Sequence, residues 1–137
     1  MTINWSDVSR FEGPSASPGF MLWTTFLRWQ KGLNYELRDV GLTQPQFAIL
    51  AVCAWLSKDE RISNQQEIAN FTQMDRMTIS QVLSKLDELG FVKRLPSKVD
   101  ARSKEIKVSA TGVHRLKRAL AVVENYDQKF FQELQQL

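Results

Sequence analysis

A chain of 137 residues, 43% of them hydrophobic and 24% charged, has the length and apolar content of one folded domain with its own core, which excludes a disordered tail or a fibrous repeat. The single cysteine, Cys53, excludes an intrachain disulfide framework and fits a reducing cytoplasm best, with a disulfide-free secreted protein as the alternative. The opening MTINWSDVSR lacks the basic flank and apolar run of a signal peptide, and the apolar run 47–56 is too short to span a bilayer, so no membrane partner is expected. The net charge of +3 is modest but unevenly placed. From Arg76 to Arg118 there are 11 Lys/Arg against 4 Asp/Glu, or +7, while the remainder has 7 against 11, or −4. A basic block in an otherwise acidic chain is the footprint of a phosphate-backbone binder, or else a solvated basic face.

Residues 1–17 read as a polar arm, with Trp5 and Phe11 as anchors onto the body. A first helix is predicted over 18–40: Pro18 suits the start, Phe20, Trp23, Phe26, Leu27, Leu33, Leu37 and Val40 recur at helical spacing, and Gly41 supplies the stop. Thr43 and Gln46 form a capping box for a second helix to about 57, apolar almost all round and therefore central. Residues 58–61 form an exposed turn. Ser63 and Gln66 read as a second capping box, opening a short helix over 64–71 that buries Ile68 and Ala69. After the turn 72–74, Asp75 caps another helix to 89, striped by Ile79, Val82, Leu83, Leu86 and Leu89 and ended by Gly90. Two short helices around a tight turn are a helix-turn-helix pattern. Residues 91–95 and 104–108, rich in β-branched and apolar residues around the tip PSKVDARS, read as a β-hairpin, with 61–63 as a short third strand. Ser109 caps a last helix reaching the C-terminus. Its stripe of Val113, Leu116, Leu120, Val123, Phe130, Leu134 and Leu137, broken at Asp127 beside Tyr126, is more than one domain buries, which points to the same helix of a second subunit. The fold class is thus mainly α with a small β-hairpin wing: a winged helix-turn-helix lobe over 61–108 and a helical dimerisation region from 18–40 and 109–137, all in one domain spanning 1–137.

These residues resemble the MarR family of bacterial transcriptional regulators. The likeness runs from Pro18 to Leu137 and rests on GLTQPQFAIL (41–50), QQEIANFTQMDRMTISQVLSKLDELGFVKR (65–94) and DARSKEIKVSATG (100–112). The last is the most specific: an Asp-x-Arg at the wing tip, a hydrophobic strand, and a capping residue three before a glycine. The chain departs from the family pattern in having Ser109 where Thr is usual, Gln81 where a basic residue is frequent, and His114 and Arg115 after Gly112. The resemblance implies a homodimer whose first and last helices interleave, with Phe20, Val113, Leu116, Leu120, Val123, Phe130 and Leu134 at the interface. It also implies autoregulation or repression relieved by a small molecule, and a cytoplasmic regulator associated with the bacterial nucleoid when on DNA.

Residues off the apolar stripe of the second helix of the pair are free to touch DNA: Arg76, Met77, Thr78, Ser80, Gln81, Ser84 and Lys85. Gln81 pairs well with adenine N6 and N7, and Met77 suits a thymine methyl. Asn64 and Gln65 open the preceding helix, whose N-terminus presents N–H groups to a phosphate. At the wing tip stand Lys98, Asp100, Arg102, Ser103 and Lys104; Arg102 suits a narrow minor groove, and Asp100 holds its guanidinium. Lys93, Arg94 and Lys107 lie on the strands, within reach of phosphates. The expected partner is double-stranded DNA with an inverted-repeat operator, the dimer supplying one recognition helix per half-site. An aromatic effector is placed at Trp23, Phe26, Trp29, Phe47 and Trp55, although such residues are more often simply core.

Cys53 reads as a buried thiol, with a redox sensor as the alternative. One Cys and one His (His114) do not make a metal site of the usual N/S type, and no cofactor is implied. No Gly-rich phosphate loop, nucleophile elbow or Cys/His/carboxylate cluster is present, so an enzyme is not expected. A winged-helix protein adaptor without DNA binding is the remaining rival, and the basic wing argues against it.

Overall fold

The computed structural model describes residues 1–99 and 104–135. The expected wing-tip residues Asp100, Arg102 and Ser103 lie outside them, as does Leu137. Five helices carry the fold: α1 (Pro18–Leu37), α2 (Gln44–Leu56), α3 (Gln65–Thr72), α4 (Arg76–Glu88) and α5 (Ala110–Gln135). A three-stranded antiparallel sheet of β1 (Ser63–Asn64), β2 (Val92–Pro96) and β3 (Lys104–Val108) runs in the order β1-β3-β2.

Local chemistry sets most boundaries. Pro18 starts α1; after Leu37 the chain tightens into a 3-10 turn over Arg38–Val40, and Gly41 at φ 79° takes the left-handed conformation that ends it. The Thr43 capping box is complete: Thr43 Oγ1 accepts from Gln46 N–H, and the Gln46 side chain accepts from Thr43 N–H at 3.0 Å. Asp75 caps α4, and Ser109 Oγ accepts from Gly112 N–H at 2.9 Å to cap α5.

Three expectations shift. The cap of α3 is Asn64, whose Oδ1 accepts from Glu67 N–H at 2.9 Å. Ser63 does not cap: both residues pair with β3, Ser63 with Ile106 and Asn64 with Glu105, but Ser63 is fully buried and, among the described residues, its hydroxyl has no hydrogen-bond partner. The third strand accordingly lies at 63–64 rather than 61–63. Trp5 and Phe11 do not anchor the arm to the body: Trp5 Nε1 donates to the Phe11 carbonyl at 2.8 Å, closing a loop within the arm, and both rings stay exposed.

The core sits where α2 meets its neighbours. Ile49, Leu50 and Cys53 of α2 are buried with Leu33 and Leu37 of α1, Ile68 of α3, Ile79, Leu83 and Leu86 of α4, Ile106 of β3, and Leu116, Ala119 and Val123 of α5. The stripe of α5 is therefore partly used inside the chain: Leu116 and Val123, expected at the interface with a second subunit, are already buried within the chain, at 7% and 5% exposed. The break at Asp127 also has a role. Asp127 Oδ1 accepts from Trp29 Nε1 at 2.8 Å, and the Tyr126 hydroxyl donates to the Trp29 carbonyl at 2.9 Å. These bonds pin α5 to α1 where Gly32 leaves room, since a side-chain carbon there would overlap the Tyr126 hydroxyl.

Candidate nucleic-acid interface

The two short helices α3 and α4 are joined by a turn that its own side chains hold. Thr72 Oγ1 donates to the Ile68 carbonyl at 2.8 Å and accepts from Met74 N–H at 3.2 Å, while Gln73 turns the chain at φ 63°. With Ile79, Leu83 and Leu86 committed to the core, α4 turns Arg76, Met77, Gln81, Ser84 and Lys85 to solvent. Met77 is 73% exposed at the first turn. Thr78 and Ser80 lie half-buried between the two faces.

Several of these side chains are already engaged. Asp75 accepts from Thr78 N–H at 2.8 Å and from Thr78 Oγ1 at 2.7 Å. These bonds hold its carboxyl below the usual carboxylate range, and its negative charge suits the helix N-terminus. The Thr78 hydroxyl therefore offers an incoming group only its lone pairs. Arg76 donates to the Gln66 side chain, and Gln66 donates to Asn70 at 2.9 Å, so α3 braces the first side chain of α4. Gln66, read from the sequence as half of a capping box, instead positions Arg76, a contact that sequence reading missed. Its spacing of ten residues from Arg76 carries no periodic signal. Asn64, as the cap of α3, already spends its oxygen on Glu67 N–H, and Gln65 beside it is half-buried.

The wing is tied to α4 at its root. Arg94 Nη2 donates to Ser84 Oγ at 2.7 Å, and Arg94 Nε lies 3.9 Å from Asp87 Oδ2. Arg94 thus fixes the angle between hairpin and helix. Its guanidinium is engaged with Ser84 and Asp87 of α4. Lys93 and Lys107 stand directly opposite each other on β2 and β3, both exposed. Like charges so placed destabilise a sheet unless an anion lies near. Lys98 and Lys104 continue the positive surface toward the tip, and on α4 Lys85 lies 3.7 Å from Glu88. Among the described residues, then, α4 and the hairpin bring Arg76, Lys85, Lys93, Lys98, Lys104 and Lys107 into one lobe.

The expected effector residues are more scattered. Phe26 and Trp29 lie 6.0 Å apart on α1, and Trp29 and Phe47 pack against the core. Trp23 is 58% exposed, and Trp55 is exposed with the Lys58 ammonium 4.0 Å from its ring centroid. A groove of about 600 Å³ between α1 and α5 is lined instead by residues including Arg28, Gly32, Tyr126, Lys129 and Phe130, and by none of those five. Of the expected interface residues, Phe20 and Val113 are exposed, while Leu120, Phe130 and Leu134 are half-buried. The Cys53 thiol is enclosed, and burial pushes it up to about 12. Among the described residues no group of three or more His, Cys, Asp or Glu could hold a metal ion, and no helix is long and apolar enough to cross a membrane.

The sequence matches the model of the MarR family over residues 42–104, from the start of the central helix to the return strand of the wing. It is 33% identical over 123 residues to the uncharacterised HTH-type transcriptional regulator YdcH of Bacillus subtilis (strain 168), covering 90% of this chain and 84% of that one. The fold is similar to that of a MarR mutant from E. coli complexed with operator DNA, with TM-score 0.78 and 18% identity over 96% of this chain and 87% of that one. It is also similar to CouR from Rhodococcus jostii RHA1 bound to p-coumaroyl-CoA, with TM-score 0.76 and 22% identity over 89% and 83%. With its winged helix-turn-helix lobe and this level of identity to a regulator along nearly its whole length, the chain belongs to the MarR family of transcriptional regulators.

Proposed function

We propose that the protein is a homodimeric repressor that reads an inverted-repeat operator in double-stranded DNA and is released by a small-molecule effector. The observation that carries the reading is the pairing of the exposed face of α4 with a basic hairpin fixed to it through Arg94 and Ser84. A helix so presented enters the major groove by its N-terminal part, and a basic wing follows the backbone into the adjacent minor groove. The apolar side chains that α1 leaves exposed, from Phe20 to Leu27, supply the surface for a second copy. The DNA complex of the similar MarR structure supports the operator, and the ligand-bound CouR supports an effector. An effector acts by preferring a dimer whose recognition helices are badly spaced for the operator.

The test separates affinity from sequence preference. An operator is first selected from a random duplex library, and variants are then titrated on operator and scrambled DNA at several salt concentrations. Arg102→Ala weakens both and flattens the log–log salt slope by about one unit per subunit. Gln81→Ala loses roughly 1–3 kcal/mol per half-site on the operator and little on scrambled DNA. Equal losses on both duplexes for Gln81→Ala remove its base-reading role, and an unchanged slope for Arg102→Ala removes the wing from the interface.

A further inference from the structure

The residue that leaves the recognition helix is held by the first turns of α5. Ser109 N–H donates to the Phe91 carbonyl at 3.0 Å, and Ser109 Oγ donates to the Gly90 carbonyl at 2.6 Å. Gly112 lets the two backbones touch, because a side-chain carbon there would overlap the Phe91 carbonyl oxygen. Arg115 follows on the next turn of α5. The centre of its guanidinium lies 5.0 Å from the centroid of the buried Phe91 ring. Its Nη1 donates at 2.6 Å to the carbonyl of Val40, which closes the 3-10 turn after α1. A side chain at Gly41 would crowd that same nitrogen at 3.2 Å. Among the described residues no carboxylate forms an ion pair with Arg115, so its half-buried charge is spent on a ring and a carbonyl from two different elements.

We propose that Arg115 is a positioning residue that sets the placement of α4 relative to α1. Filling the space would not call for an arginine: a leucine or methionine does so without desolvating a charge. What the guanidinium adds is direction. It is planar and permanently charged, and it addresses two partners at once. One partner, Phe91, is continuous with the end of α4 through its N–H bond to the Leu86 carbonyl at 2.9 Å. The other, Val40, is continuous with α1. Cutting the link leaves the apolar core in place but frees α4 to pivot against the helix that carries the exposed apolar face. The relevance to DNA reading rests on the function proposed above; the geometric statement does not.

The test therefore uses neither DNA nor assembly. In the full-length chain with Cys53→Ala, spin labels are placed at Lys31→Cys on α1 and Lys85→Cys on α4, both exposed positions. The labelled protein is diluted into unlabelled protein, and the intrachain distance distribution is read by pulsed electron paramagnetic resonance. The parent is expected to give one narrow distribution, and Arg115→Ala a wider or displaced one. Val122→Ala, which removes core packing from the same helix, is expected to lower the urea midpoint and leave the distribution narrow. A narrow, unmoved distribution in Arg115→Ala, with only stability lost, overturns the proposal. If Arg115→Ala does not fold, Arg115→Lys decides. It keeps a charge and a donor but loses the planar fork, so a partial widening supports the proposal and an unchanged distribution overturns it.

Discussion

Replacing Gly112 by alanine gives a sharp test of how α5 meets the wing. In an isolated helix the change stabilises, by about 1 kcal/mol, because alanine loses less backbone entropy. Here the new methyl would overlap the Phe91 carbonyl oxygen, a backbone atom, and would also press on Val108 Cγ1 at 3.0 Å. No rotamer change moves a carbonyl, so the first turn of α5 must retreat from the start of β2. Forced overpacking of this kind costs about 1–3 kcal/mol. Retreat also strains the hydrogen bonds that Ser109 makes to Gly90 and Phe91, each contributing about 1 kcal/mol. Set against the gain in helix propensity, the net expectation is a loss of about 2–4 kcal/mol. Urea unfolding at one fixed protein concentration measures it, because a dimer's midpoint depends on concentration. Gly19→Ala is the control: Gly19 is also helical but has no atom within 4 Å of the new carbon, so a gain of about 0.5–1 kcal/mol is expected there. A Gly112→Ala protein as stable as the parent would refute the close approach of α5 and β2.

Other expectations follow from the core and the caps. Leu83→Ala, at a fully buried position of α4, should lower stability by about 2–5 kcal/mol in the same assay; a loss below about 1 kcal/mol would mean that α4 is not seated against α2 as described. The Cys53 thiol, raised from 9.0 to about 12 by burial, should resist iodoacetamide at pH 8 until the chain is unfolded. Its folded pKa is raised, so the buried neutral thiol contributes fully below pH 9, and that contribution should fall away between 9 and 12 as the unfolded chain ionises first. Rapid alkylation of the native protein would contradict both statements. Asp75→Ala should speed amide exchange at Thr78 while leaving Leu86 unchanged, and Asp75→Asn should restore protection. Because the Asp75 carboxyl is held below 3.8, its cap should be present above that pH and lost as the solution is acidified beneath it; protection at Thr78 that survives both Asp75→Ala and acidification, once intrinsic exchange rates are divided out, would remove the cap.

What could be read from the sequence was local. Thr43 with Gln46, Asp75 before α4, and Gly41 and Gly90 as stops are decided by bonds within a turn of the chain, so their residue types announce them. The cap of α3 was not decided locally. Ser63 and Asn64 both suit a cap, and both pair with β3 more than forty residues away, but the fold buries Ser63 fully while the Asn64 oxygen stays free for Glu67 N–H at the helix start. The same limit applies at the candidate interface. The apolar stripe of α4 correctly left Arg76, Met77, Gln81, Ser84 and Lys85 outside. Nothing in it indicated that Arg76 is braced by Gln66, or that Arg94 turns back onto Ser84 and Asp87. Asp127, which looked like a fault in the α5 stripe, is the acceptor for Trp29. A single helix's periodicity cannot register a partner on another helix. It also cannot divide a long stripe between the chain's own core, which takes Leu116 and Val123, and a surface left over for another molecule.

The facing lysines of the hairpin reverse a familiar laboratory intuition. Lys93 and Lys107 push the two strands of the wing apart across a ladder only five residue pairs long. Dissolved ions damp that repulsion, since the screening length shrinks from about 30 Å at 0.01 M salt to about 10 Å at 0.1 M. Dilute buffer, chosen to strengthen contact with a polyanion, is thus the medium in which the unliganded hairpin is under most tension. Added electrolyte relaxes the strands, and would weaken the hold on DNA phosphates proposed for them. Whatever brought negative charge to that pair would steady the wing from outside.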